Sequence, residues 1–213
     1  MDELQDRDPL HRHAAVAAPA AGTSPMDPPS AWAPPATAVV PYEELHPFLR
    51  RLVDEHAELT ERLASFEATL QQIRTGGLTR EHGASLRSCF EYFERELPRH
   101  QRSEERRLFP RLRQRLIERG EHGATAPLAT GVDVLEEEHV RSIRQLAVAN
   151  GFIGLALRLA DAESGMTALA MGVEQGTDFV EGLRLHLFRE ENILFGLAQR
   201  HFTAAELDAL LAD

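Results

Sequence analysis

From Tyr42 onward, apolar residues recur at helical spacing between polar ones. Leu45, Leu49, Leu52, His56, Leu59, Leu63, Phe66 and Leu70 form one stripe, which ends at Gly76-Gly77 and predicts a first helix. Leu86, Cys89, Phe93, His100, Glu104, Leu108, Leu112 and Leu116 predict a second, from about Thr79 to Gly120, kinked at Pro98. A third runs from about Val132 to Ala160 on His139, Ile143, Leu146, Asn150 and Leu157. A fourth runs from about Met166 to His201 on Phe179, Leu183, His186, Glu190 and Leu194. The capping box Thr203-Ala-Ala-Glu206 opens a short fifth. No alternating strand pattern competes. The expected fold is all-α, an antiparallel four-helix bundle over residues 42–202, with a short C-terminal helix at 203–213.

Residues 1–41 break the pattern: they hold eight of the twelve prolines among alanine, serine and acidic residues, the composition of a disordered tail. His11 and His13 sit there without the supporting groups that hold a metal ligand in place. The rest of the composition changes the picture little. At 213 residues and 43% hydrophobic content, the chain suits one ordinary domain plus a tail. A net charge of −11 argues against a general nucleic-acid binder. One cysteine, Cys89, excludes an internal disulfide framework and a cysteine-rich zinc site. Neither a signal peptide nor a membrane span is apparent, so a cytoplasmic protein with no membrane partner is expected.

The polar members of the stripes carry the chemistry. His100-Gln-Arg-Ser-Glu104-Glu105-Arg-Arg-Leu108-Phe109 returns as His186-Leu-Phe-Arg-Glu190-Glu191-Asn-Ile-Leu194-Phe195, an H-x3-E-E-x2-L-F motif repeated 86 positions on. Leu52-Val-Asp-Glu55-His56 likewise returns as Leu135-Glu-Glu-Glu138-His139, 83 positions on. The chain therefore reads as a duplicated pair of helices. Residues four apart on a helix share a face, so His100 points with Glu104 and His186 with Glu190. Four imidazoles and two carboxylates turned inward at one level would each be costly to bury unpaired. They make a plausible shell for two metal ions, with the carboxylates as bridges. A solvated face of glutamates with satisfied core histidines would require the double motif to be accidental.

These motifs resemble those of the hemerythrin-like family of HHE cation-binding domains, over roughly residues 42–200. The resemblance implies two iron ions (Fe2+/Fe3+) with an oxo or hydroxo bridge. His56 and His100 would hold one, His139 and His186 the other, and Glu104 and Glu190 would bridge them. Oxygen-carrying members have a fifth histidine where this chain has Ile143. The four-histidine, two-glutamate set is closer to the repair-of-iron-centres branch, linked to nitric oxide stress, and to domains that sense iron and oxygen. In that first branch, glutamates matching Glu96 and Glu138 line a polar route to the irons, which makes them candidate proton-relaying residues. That branch also carries an N-terminal cysteine-containing domain with no counterpart in these residues, so the expectation stops short of the repair activity.

Three functions follow as expectations. The first is a di-iron oxidoreductase that binds and reduces O2, peroxide or NO with an unknown electron donor, or acts as an oxygenase on a small organic substrate. The second is a non-catalytic module that binds or senses O2 or iron. The third is a ferritin-like carboxylate centre built on Glu43-x-x-His46 and Glu136-x-x-His139. A monomer or a homodimer fits any of them. Beside the ligands, Gly172, Gly176 and Gly182 suggest an apolar chamber closed by Glu67, Cys89, Asn150 and Gln175. Tyr92 could serve at the site edge or only as a packing residue.

Overall fold

The computed structural model describes residues 40–123 and 128–212, and every regular element among them is helical. The expected tail, with His11 and His13, lies outside the described residues apart from its last two positions. A 3-10 turn at Tyr42–Glu44 leads into α1 (Pro47–Gly76), followed by α2 (Arg80–Ser103), a π-helical turn (Glu104–Leu108) and α3 (Phe109–Glu118). Next come α4 (Gly131–Ala156), α5 (Ala162–Arg189), a second π-helical turn (Glu190–Leu194), α6 (Phe195–His201) and α7 (Ala204–Ala212).

The boundaries follow from local chemistry. α1 begins at Pro47 rather than Tyr42, because proline at a first helical position gives up an N–H that would have no partner there. His46 Nδ1 accepts the Phe48 N–H at 3.2 Å and so caps the opening turn. Gly77, with φ of 80°, takes the left-handed conformation that ends α1 and donates to the Ile73 carbonyl at 2.8 Å. Thr79 and His82 exchange backbone-to-side-chain hydrogen bonds of 3.2 and 3.3 Å at the start of α2. α5 starts four residues before the expected Met166, where the Asp161 carboxylate accepts the Ser164 N–H at 2.7 Å. The predicted capping box of α7 forms, with Thr203 N–H donating to Glu206 at 2.7 Å and Glu206 N–H to Thr203 at 3.3 Å.

Pro98 lies inside α2, which continues to Ser103, and a π-helical turn follows at Glu104–Leu108. Its twin at Glu190–Leu194, closed by a Phe195 N–H to Glu190 carbonyl bond, contains no proline. The irregular turns thus follow the repeated motif and not the proline. On α4 the expected stripe shifts: Ile143 is 36% and Leu157 65% exposed, while His139, Ser142, Leu146, Ala149 and Ile153 are buried. Small Ser142 and Ala149 hold inward positions that a search for large apolar residues passes over.

The described contacts gather into two compact units. One comprises Leu52–Ser103 and Glu138–Leu187, so it holds most of α1, α2, α4 and α5. Its helices are antiparallel in pairs. Thr69 meets Ser85 near the α1–α2 turn, and His56 meets His100 far from it, so partners move in opposite directions along the chain. The core of this unit is aromatic at its centre, with Phe66, Phe93 and Phe179 meeting edge to face at centroid distances of 5.2–6.1 Å. The other unit comprises residues 1–51, 104–137 and 188–213. In it, Arg113 bridges Asp133 and Glu136 on α4, and Arg115 reaches Glu206 on α7 at 2.7 Å. No helix among the described residues is long and apolar enough to cross a membrane.

Candidate metal centre

Each histidine of the repeated motifs arrives on a different helix, His56 on α1, His100 on α2, His139 on α4 and His186 on α5, and all are at most 2% exposed. They meet in two pairs. His56 Nε2 lies 3.0 Å from His100 Nε2, and His139 Nε2 lies 3.1 Å from His186 Nε2. The rings of each pair stand edge to face, 4.8 and 4.7 Å between centroids.

The outer nitrogens show what the inner ones offer. His100 Nδ1 lies 2.9 Å from a Glu55 carboxylate oxygen, and His186 Nδ1 lies 3.1 Å from one of Glu138. A carboxylate favours a proton on the nitrogen facing it, and in that tautomer the Nε2 lone pair is directed at the other histidine of its pair. Nitrogens about 2.1 Å from one ion and at right angles around it stand about 3.0 Å apart, against about 3.4 Å in a tetrahedron. Both pairs are thus spaced closely enough to share one ion each.

Glu104 and Glu190 are fully buried, each the first residue of its π-helical turn and four residues after His100 or His186. With the histidines they form two sets able to hold a metal ion: His56, His100, Glu104 and Glu190, and Glu104, His139, His186 and Glu190. The donor types, imidazole and carboxylate together, suit a borderline to hard metal ion.

A family model described as hemerythrin HHE cation binding domain matches residues 47–198. The chain belongs to the hemerythrin HHE family. No curated protein and no solved structure gives a match. Among the described residues of this HHE protein, the site residues picked out from sequence fall into distinct environments. His56, His100, Glu104, His139, His186 and Glu190 are the buried set. Glu138 holds His186. Glu96 is engaged by Arg95 at 2.6 Å and Arg99 at 2.8 Å, and these bonds, Arg95 first, hold its carboxyl below the usual range.

Glu55 was not singled out from sequence as a functional residue, although the repeated L-x-x-E-H motif marked it as the counterpart of Glu138. Its partner is on another helix, 45 positions away, which no local pattern reveals.

The remaining expectations near the site are corrected by packing. A Cβ on Gly172 would come within 2.7 Å of Ile153, and one on Gly176 within 2.8 Å of Leu70, so these glycines admit neighbouring side chains and do not make a chamber roomy. Glu67 pairs with Arg184, Asn150 with Glu94 and Gln175 with Asp178 at exposed positions, so they form no inward polar lid. The ferritin-like centre is also set aside, since His46 hydrogen-bonds Asp208 at 3.2 Å and Glu136 pairs with Arg113. Tyr92 packs edge to face on Phe93 with Arg62 over its ring at 5.0 Å, and burial pushes its hydroxyl pKa up.

Proposed function

We propose that this HHE domain binds two iron ions and uses them to bind and reduce a small oxidant, O2, peroxide or NO, with electrons from a separate donor. His56 and His100 would hold one ion, His139 and His186 the other, and Glu104 and Glu190 would be shared. The domain is taken as residues 42–202 with an added helix at 203–213, acting in the cytoplasm as a monomer or homodimer. The observation that carries this reading is the pair of carboxylate-held imidazoles, His100 on Glu55 and His186 on Glu138, each presenting a lone pair inward. Bound iron would supply Lewis-acid activation and electron transfer.

The chain's own residues have separable tasks. Glu55 and Glu138 orient His100 and His186 and fix their tautomer. Glu138, 10% exposed at its side chain, is placed to pass a proton between the His186 ring and the surroundings. Glu96 is the weaker relay: the arginines that lower its carboxyl pKa keep it ionised at neutral pH, so it is a poor proton donor. A non-catalytic sensing role is the second reading, favoured by the burial of all six polar ligands, which couples metal binding to folding.

Metal analysis of purified protein, with addition of peroxide or NO to wild type and to Glu104→Ala, tests both readings. About two irons per chain and catalytic consumption of the oxidant, both lost in the variant, are expected. Two irons with a stable adduct and no consumption would favour the sensor, and absence of stoichiometric metal would overturn the assignment.

A further inference from the structure

The sequence repeat allows each side of the histidine layer to be compared with its own duplicate. Gln101 follows His100, and its counterpart after His186 is Leu187. Ser142 lies three residues after His139, and its counterpart after His56 is Leu59. All four are buried, at 4%, 4%, 5% and 2% exposure in the order named. Each copy supplies one leucine and one polar residue, so the α1/α5 side carries two leucines where the α2/α4 side carries an amide and a hydroxyl. The leucines show that this architecture accepts an apolar pair at that level, so fold alone does not require the polar one.

The polar pair is hydrogen-bonded across two helices. Gln101 Nε2 on α2 donates to Ser142 Oγ on α4 at 3.0 Å, and Ser142 Oγ donates to the His139 carbonyl at 2.8 Å. A hydrogen bond is directional, whereas two leucines can slide or rotate past each other with little change in contact. The connection starts beside a ligand of one histidine pair and ends on the backbone of a ligand of the other. It fixes the rotation of α2, which aims His100, against the turn of α4 that carries His139.

The geometry points to Gln101 and Ser142 as positioning residues that couple the two metal half-sites, so that filling the His56/His100 pair pre-orients the His139/His186 pair. This rests on the di-iron reading above. Neither residue contacts metal in this role; each acts through the histidine next to it.

The test is titration of metal-free protein with cobalt(II), followed by its visible absorption bands, on wild type, Gln101→Leu/Ser142→Ala and Ser142→Thr. In wild type both equivalents should load in one transition. In the double variant the second equivalent should bind roughly tenfold more weakly, the usual size of a supporting-residue effect. The metal-free thermal midpoint of that variant should not fall, since apolar groups replace a neutral pair, and Ser142→Thr, which keeps the hydroxyl, should load like wild type. A double variant that loads as wild type does, or one whose metal-free form has lost helix content by circular dichroism, overturns the positioning role. Wild type that takes up no cobalt overturns the metal-binding reading, and this inference with it.

Discussion

A carboxylate that holds a ligand's outer nitrogen acts on the metal without touching it. Glu55→Gln and Glu138→Gln keep side-chain volume and a hydrogen bond but remove the charge that favours the Nδ1 proton of His100 and His186. Each should lower iron affinity about 10–100-fold with helix content unchanged, as measured by competition with a chelator. Glu96→Gln should leave affinity near wild type in the same assay, because its partners are Arg95 and Arg99. The buried cluster of histidines and glutamates was legible in the sequence because a motif that occurs twice is hard to produce by chance. Glu55 and Gln101 were not, since what gives each its meaning is a group on another helix. Ile143 was misread as inward because a large apolar side chain was weighed above the small Ser142 that holds the buried position.

At the scale of elements, helix number and most inward faces could be read from periodicity, and the ends from capping chemistry. What spacing could not show is how tightly the helices approach. Gly172 has Ile153 side-chain and backbone atoms at 2.7 and 3.0 Å from where a Cβ would sit. Gly172→Ala should therefore destabilise the protein by about 1–3 kcal/mol, seen as a lower denaturation midpoint, by forcing α4 and α5 apart. Acid should loosen the helices at their surface links. Arg184 holds the Glu67 carboxyl below its ordinary value of 4.5, chiefly by hydrogen bonding. A folded-state pKa that is depressed contributes stability above about pH 4.5 and loses it as pH falls through the lower folded value. Thermal unfolding of metal-free protein should show that loss below about pH 4.5, with a smaller slope in Glu67→Gln.

For the molecule as a whole, six buried polar side chains at the proposed iron pair predict a stability that depends on metal. Each of two irons at a hundredfold excess over its dissociation constant should add about 2.7 kcal/mol, together roughly 10–20 °C in midpoint for a chain this long, and a chelator should remove it. Calorimetry with and without chelator reads this directly. The two π-helical turns bear on how such a chain can change in length. Each contains one residue more than a regular helix would use to cover the same rise. Removing a residue from the middle of an α-helix swings everything beyond it by about 100° and scrambles its buried face. Removing exposed Arg106 would instead let the Glu104–Leu108 turn relax to ordinary helix, with Leu112 and Leu116 still facing inward. Glu104 and Glu190 thus stand at the two places where the helices could be shortened by one residue with the core kept in phase, leaving the aim of the two carboxylates as what those extra residues maintain.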